Sequence, residues 1–480
     1  MQEQLKWSTN EILENQFKIK KIFFYRVCGT GMGAAACLLK EKGFDVEGAD
    51  NNFSPPMSDY LESTKIPLYQ LSDISKEKLQ EYDLIVVGNV VPNGSEDAKQ
   101  VENSGVPYCS FPAAIGGLVL KNVNVVGIAG THGKTTTTYF ITQLFEKLGE
   151  KPGYFIGGVM PGRNSSVLGD GKYFFIESDE YDSSYFEKIS KFRLYHLNSM
   201  ILTSLEFDHA DIFNNVEDIK DQFRPTLNEL DGVLIYENSF SATNELVDEL
   251  KNLKTFTYGD SSQSGPVILE QGAEGTTFEV KFSNETLKFK TSVIGKHNIL
   301  NLSACITYAL NEGFSVEKVR NAVESLEMVK RRQEVRGLFH NAIVIDDFAH
   351  HPRSVKFTID TIKQKYPSRE VLVVMEPNSA TARSNLFQNE FEESLSTADT
   401  LIMVKPPRPT SIKSAKDLDC QKIVERLRTD GKDAFYIDNL RDLLDKLNDY
   451  SKKEIVFLIL SNGTCLDLWK SEFVSELKKL

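Results

Sequence analysis

The sequence predicts a multidomain α/β protein built on open, mostly parallel sheets, and three observations predict it. Twice, at residues 22–42 and 123–148, an apolar strand-like run feeds a glycine-rich turn that opens a helical pattern. That order sets backbone N–H groups at the end of a sheet strand, where phosphates are held. Beyond residue 330, strand-like runs alternate with amphipathic helical segments. The 480 residues allow three such units at about 150 residues each.

The elements follow in chain order. Residues 22–27 read as a buried strand running into Cys28-Gly29-Thr30-Gly31-Met32-Gly33, whose glycines open a helix through Lys42; a strand at 46–49 then ends in Asp50. Taken alone, these glycines and an acid about 20 residues later also suit a dinucleotide. Strands at 84–87 and 107–112 follow, the second ahead of a glycine-rich connection at Gly116-Gly117, and this unit is expected to span 1–120. A central unit, 121–329, has core strands at 123–129, 173–176, 200–203 and 232–236, an antiparallel flap over 255–294, and a helix at 298–310. The last unit, 330–480, has strands at 342–345, 371–375, 400–404 and 455–460 between helices at 354–365, 387–397, 418–429 and 440–448.

Chemistry concentrates at the ends of these strands. In Gly130-Thr131-His132-Gly133-Lys134-Thr135-Thr136 the glycines turn N–H groups inward, Lys134 adds a movable charge and Thr135 offers a hydroxyl to Mg²⁺, so the loop is read as a nucleoside triphosphate cradle. The strict spacing would put glycine at Ile128; Gly127 and Gly130 flank it instead. Glu177, in Glu177-Ser178-Asp179-Glu180, is the expected Mg²⁺ ligand, and His209, in Asp208-His209-Ala210-Asp211, suggests a second metal position. Asn298 and Asn301 lie three apart on one helix face, where amides can read a base edge. Lys330-Arg331-Arg332 offers cations at the second boundary, and Asp346-Asp347-Phe348-Ala349-His350-His351-Pro352 gathers acids and histidines at a strand end.

Composition excludes other classes. A net charge of −13 argues against nucleic acid or an anionic membrane as the main partner. Apolar runs such as 111–120 are far shorter than the ~20 residues a spanning helix needs, and the N-terminus has no apolar signal core. Six scattered cysteines without a C-x-x-C pair read as reduced thiols, so a cytoplasmic location is expected; the chain is separately expected to be a monomer or weak homo-oligomer.

In order along the chain, the 130–136 loop, Glu177-Ser178-Asp179-Glu180, Asp208-His209, His297-Asn298-x-x-Asn301, Arg331-Arg332 and Asp346-Asp347-x-x-His350-His351-Pro352 resemble the Mur ligases, most closely their UDP-N-acetylmuramate-dependent branch. The resemblance implies a Rossmann-like N-terminal domain for the UDP-sugar, a P-loop ATPase central domain and an α/β C-terminal domain for the incoming amine. Gly29, Thr30, Gly31, Met32, Gly33 and Asp50 would then hold the UDP-sugar, and the 130–136 loop with Asn298, Asn301, Arg332, Asp347 and His350 would hold ATP. Thr135, Glu177 and His209 would ligand Mg²⁺, and Lys134, Glu177, His209 and Arg332 would serve catalysis. The implied reaction joins UDP-N-acetylmuramate to the murein tripeptide L-alanyl-γ-D-glutamyl-meso-diaminopimelate through an acyl phosphate, in peptidoglycan recycling. Stretches 156–159, 180–192, 205–213 and 330–337, with Asp50 and Pro55-Pro56-Met57-Ser58, favour that branch over the one adding L-alanine. In Glu376-Pro377-Asn378-Ser379-Ala380-Thr381, Asn378 and Ala380 stand where the resemblance leads one to expect arginine and asparagine; Asn378 and Arg383 are the expected peptide contacts, with Arg383 or Arg408 supplying the missing guanidinium. Phe223-Arg224 occupies the region where some relatives carry a carbamylated lysine, and none is expected here. Readings from other classes are a catalytically silent UDP-sugar sensor, which would leave Lys134, Thr135, Glu177 and His209 idle, and a nicotinamide dehydrogenase, which would leave the 130–136 loop unused.

Overall fold

Five strands, Leu68–Gln70, Asp45–Asp50, Lys21–Tyr25, Leu84–Val87 and Tyr108–Ser110 in spatial order, make an all-parallel sheet at the N-terminal end of the chain. The computed structural model describes residues 5–54, 57–157, 163–259, 265–272, 274–329 and 331–479. Pro55, Pro56, Gly158, Val159 and Lys330 fall outside them. The order third, second, first, fourth, fifth puts the loop after Lys21–Tyr25 where successive strands depart in opposite directions, which is where open sheets bind ligands.

The second sheet runs Lys254–Tyr258, Val233–Glu237, Ser199–Leu202, Asn124–Ala129, Tyr173–Ser178, Gly153–Phe155 and Ser166–Val167, parallel except for the last pair. Asn124–Ala129 lies in the middle, so the helix it feeds, Lys134–Lys147, is buried along most of its length. The third sheet runs Glu334–Phe339, Ala342–Asp347, Ile455–Ser461, Glu370–Glu376, Thr400–Val404 and Asp433–Ile437, with only the first pair antiparallel. Apolar residues fill both of its faces, as a parallel sheet covered on both sides requires.

Two sequence expectations are corrected, and one strand is added to them. Gly116 and Gly117 sit inside the buried helix Phe111–Leu118 instead of a connection. There they allow close packing: a Cβ at Gly116 would run into the Leu194 carbonyl oxygen, and one at Gly117 would come within 2.7 Å of Ile12. The first part of the expected flap, Lys254–Tyr258, is a parallel edge strand of the central sheet, and the antiparallel sheet is Val267–Gly272, Gly275–Phe282 and Glu285–Thr291. The cationic boundary segment leads directly into Glu334–Phe339, an edge strand whose charges hid its alternation.

The described residues group into two compact units, one within Met1–Glu206, Val216–Gln263 and Ala304–Ser315, the other within Phe207–Asn215, Ser264–Ser303 and Val316–Leu480. In the first unit a short hairpin, Asp182–Ser184 with Glu187–Ser190, ties the central sheet to the N-terminal one. Tyr185 donates to Glu102 (2.9 Å) and Ser110 donates to Glu187 (2.6 Å). In the second unit the antiparallel sheet and the segment after it pack on the helix Pro352–Lys365, through Gln271 to Gln364 (2.7 Å) and Gly295 against Thr361. No helix among the described residues is long and apolar enough to cross a membrane.

Candidate active site

The loop after Asn124–Ala129 is shaped by the strands on either side of it. Gly130 has φ +125°, and a Cβ there would stand 2.5 Å from the Thr203 hydroxyl and 2.6 Å from the Ser204 carbonyl oxygen, so glycine alone fits. The Thr131 N–H donates to the Ser204 carbonyl (3.1 Å) and the His132 N–H to the Ser204 hydroxyl (2.9 Å). Thr131 Oγ1 accepts from the Glu206 N–H (3.0 Å), and His132 Nε2 lies 3.2 Å from Glu206 Oε2. Gly133, at φ +81°, caps the helix Lys134–Lys147, whose first N–H groups have no intrahelical acceptor and face the loop's mouth; Thr136 is buried within it.

Carboxylates from the neighbouring strand Tyr173–Ser178 and the residues after it meet this loop. Lys134 Nζ donates to Glu180 Oε2 (2.8 Å) and to the Gly130 carbonyl (2.6 Å), while the Gly130 N–H donates to Glu180 Oε1 (3.0 Å). Burial works against the charge on Lys134, but Glu180, Asp179 and Glu177 outweigh it and hold the ammonium above its usual range. Thr135 Oγ1 donates to Glu177 Oε1 (2.9 Å) and the Gly157 N–H donates to its Oε2 (2.7 Å). Burial raises the Glu177 carboxyl above the ordinary range despite the pull of Lys134. A hydroxyl and a carboxylate side by side are hard oxygen donors of the kind Mg²⁺ selects. Glu180, which no sequence motif separates from Glu177, is 4 % exposed and takes the lysine; the acidic run is the signal in the sequence, and its register past the strand end decides which acid points where.

In the N-terminal loop Gly29 caps the helix Thr30–Glu41, so the N–H groups of Thr30, Gly31 and Met32 are the unpaired donors of its first turn. Gly31 lies against the Phe111 ring, Gly33 against Met57, and the Met32 side chain is buried. Asp50 accepts the Cys28 N–H (2.8 Å) and the Asn51 N–H (2.7 Å), so it braces the loop. Arg26, which no motif singles out, lies beside it at 3.7 Å.

The remaining predicted residues belong to the second unit. His209 has φ +54°, and burial of its neighbour Asp208 is outweighed by the charges of His209, His350 and His351, which hold that carboxyl well below its usual range. Arg331 and Arg332 separate in role. Arg331 reaches Asp346 (3.2 Å) and the Ser461 carbonyl (2.7 Å), whereas Arg332 lies over the Phe348 ring with its charge acting on Asp347 and His297. Asp347 is buried, which raises its carboxyl, and accepts N–H groups of Ala349 (2.7 Å) and Gln333 (2.9 Å). His350 Nδ1 is 3.0 Å from the Phe348 carbonyl. Asn298 and Asn301 are both buried in the helix Lys296–Asn311, and the Asn298 amide nitrogen is committed to the Ile294 carbonyl (2.8 Å). Asn378 donates to the Asn462 carbonyl (3.4 Å). Arg383 is 3 % exposed, and its Nη1 has no hydrogen-bond partner among the described residues. Burial lowers its pKa, Arg408 adds to that, and Asp417 and Asp211 act the other way.

The chain thus carries a glycine-rich loop with its own lysine and carboxylates, a second glycine loop on a separate parallel sheet, and a third α/β sheet. Three family models match in sequence: the Mur ligase family catalytic domain over residues 21–122, the Mur ligase middle domain over 128–309, and the Mur ligase glutamate ligase domain over 331–463. The chain belongs to the Mur ligase family, and it is an ATP-dependent, amide-forming ligase. It is 35 % identical over 402 residues to the UDP-N-acetylmuramate–L-alanyl-gamma-D-glutamyl-meso-2,6-diaminoheptandioate ligase of Escherichia coli K12, covering 80 % of this chain and 85 % of that one. The enzyme of the same name from Haemophilus influenzae is 31 % identical over 451 residues, covering 93 % and 97 %. A crystal structure of a murein peptide ligase from Psychrobacter arcticus superposes with a TM-score of 0.69 at 26 % identity, covering 96 % and 99 %. Proteins named UDP-N-acetylmuramate–L-alanine ligases match at 28 to 31 % identity.

Proposed function

We propose that this ligase joins UDP-N-acetylmuramate to the tripeptide L-alanyl-γ-D-glutamyl-meso-diaminopimelate, as a cytoplasmic monomer or weak homo-oligomer. The observation that carries the ATP half is the pairing of Lys134 with Glu180 and of Thr135 with Glu177 at one strand end. The two relatives named for this reaction, at 35 % and 31 % identity, support the substrates. In this reading residues 1–120 take the UDP-sugar, 121–329 take ATP and 330–480 take the peptide.

The lactyl carboxylate is a poor electrophile, so its oxygen attacks the γ-phosphorus of ATP, releasing ADP and leaving an acyl phosphate. The peptide amine then attacks the acyl carbon, phosphate departs and the amide forms. Lys134 leaves or shares Glu180 to meet the phosphate oxygens, and Arg332 offers a second cation to the transferring group. Thr135, Glu177 and His209 would hold Mg²⁺, which when bound offsets phosphate charge. The helix N-terminus at Lys134 and the loop with Gly130, Thr131, His132 and Gly133 orient the phosphates, while Thr136, Asn298, Asn301, Asp347 and His350 complete the nucleotide contacts. Gly29, Thr30, Gly31, Met32, Gly33 and Asp50 hold the diphosphate of the sugar nucleotide, and Arg383 with Asn378 meets the peptide.

The test is to incubate the protein with ATP, Mg²⁺ and UDP-N-acetylmuramate, offer tripeptide or L-alanine in parallel, and follow phosphate release and product mass. Product formed with tripeptide supports the reading. Turnover with L-alanine alone moves the enzyme to the biosynthetic branch, and binding without turnover on either amine favours a silent sensor.

A further inference from the structure

Arg26 ends the strand Lys21–Tyr25 in a conformation that suits glycine, at φ +70°, immediately before the glycine loop. A long side chain held in that strained geometry needs a compensating interaction, and the guanidinium has several. Arg26 Nη2 and Nε lie 2.5 and 3.1 Å from Asp97 Oδ2, and Nη1 is 3.7 Å from Asp50 Oδ1. With its amide turned to face the guanidinium, the Asn51 side-chain oxygen accepts from Nη1 (2.7 Å) and Nη2 (3.1 Å). Asp50 in turn takes the Cys28 N–H at 2.8 Å, the first donor of the loop.

Electrostatics gives this arrangement a use. Asp50 and Asp97 are both mostly buried, at 14 % and 23 % side-chain exposure, and Asp50 touches the loop that the function proposed above gives to a diphosphate. Carboxylates left uncompensated near such a loop would repel a polyanion, and the repulsion grows as water is excluded. We propose that Arg26 is a positioning residue for the nucleotide-sugar diphosphate: it neutralises Asp50 and Asp97 and holds Asp50 on the Cys28 N–H, so that residues 28–33 keep the shape that takes phosphate. The inference rests on the reading of that loop as the diphosphate site. A purely structural Arg26 would instead tie the helix Glu96–Glu102 to the first strand and leave ligand binding untouched.

Calorimetric titration of wild-type protein, Arg26→Gly, Arg26→Lys and the double variant Arg26→Gly with Asp97→Asn, using UDP-N-acetylmuramate, UDP and uridine, tests it, with melting temperatures and steady-state kinetics beside. Arg26→Gly removes the strained side chain, so its fold is retained. The expected result is an affinity for UDP-N-acetylmuramate and UDP weakened about tenfold or more, with uridine binding, kcat at saturating sugar nucleotide and KM for ATP within about twofold. Arg26→Lys retains most of the affinity, and Asp97→Asn restores part of what Arg26→Gly loses. Unchanged UDP affinity in Arg26→Gly, or an equal loss for uridine and UDP, overturns the role of Arg26. Absence of binding in the wild-type protein overturns the diphosphate reading itself, and the role of Arg26 with it.

Discussion

The two glycine-rich loops of the first unit follow a central parallel strand and open a buried helix, yet they are held in opposite ways. At residues 28–33 the charges sit off the loop: Asp50 takes a loop N–H, Arg26 covers Asp50, and the loop itself carries no cation. At residues 130–136 the charge is part of the loop, and Lys134 and Thr135 are engaged with Glu180 and Glu177. A loop braced from outside can receive an anion without exchanging partners. In the proposed function, a loop whose own lysine is already paired trades a carboxylate for a phosphate, so its internal contacts would enter the free energy of nucleotide binding.

The largest expected effect separates the two. Lys134→Met is expected to lower turnover by about a thousandfold or more, because the proposed function puts this cation on the transferred phosphoryl group. UDP binding measured by calorimetry stays within about twofold, because the first loop does not depend on it. Lys134→Met also takes the cation from the buried Glu180, which keeps the Gly130 N–H, a cost of about 3 kcal/mol in chemical denaturation. Adding Glu180→Gln recovers much of that stability without recovering turnover. Loss of UDP affinity in Lys134→Met would break the contrast between the loops.

Gly130→Ala is next. Its φ of +125° and the nearby Ser204 main chain leave a methyl no room, so denaturant unfolding is expected to show a loss of about 2 to 4 kcal/mol. A variant as stable as wild type would mean that this loop yields more easily than its contacts imply.

The second unit also holds a group pre-set by burial. Burial and then the charge of Arg332 lower His297 from 6.5 to about 4, and its ring stacks on Phe357. The folded protein therefore keeps His297 neutral while the unfolded chain takes up a proton below pH 6.5. Its contribution is fully present above that pH and is lost as pH falls toward 4, amounting to roughly 3 kcal/mol. Asp346, raised to about 6 chiefly by burial, works with the opposite sign: its contribution is present below 3.8 and is lost as pH rises toward 6. Melting temperature against pH for His297→Gln isolates the histidine: the decline between pH 6.5 and 4 flattens relative to wild type.

Much of this was legible before any coordinates, because strand ends and glycine turns are written locally. The strand Leu84–Val87 and the helix after Gly133 fall within a residue of where apolar runs and caps put them. Gly116 and Gly117 misled because glycine marks turns in sequence, and the neighbours that make it useful inside a helix, Leu194 and Ile12, are distant in the chain. Asp433–Ile437 escaped because it is short and half-exposed at a sheet edge. At the site, the acidic run was visible but not the side-chain directions that give Lys134 to Glu180 and Thr135 to Glu177. Arg26 belongs to no motif; its backbone angle and its two carboxylate neighbours exist only in the folded chain.

The smallest expected effect returns to the first loop. Gly33 has ordinary helical geometry, and a methyl there would press on the Met57 thioether, the movable end of a flexible side chain, with the Val27 carbonyl oxygen 3.3 Å away. Met57 can shift to another rotamer, and alanine is the better helix former, so the two terms nearly cancel. Gly33→Ala is expected to change unfolding free energy by less than about 1 kcal/mol, with Met57→Ala in the same chain relieving what contact remains. The informative reading is the difference between Gly33→Ala and Gly130→Ala. If both glycines prove equally intolerant, the first loop is as tightly enclosed as the second, and bracing by Asp50 and Arg26 is not what keeps it in shape.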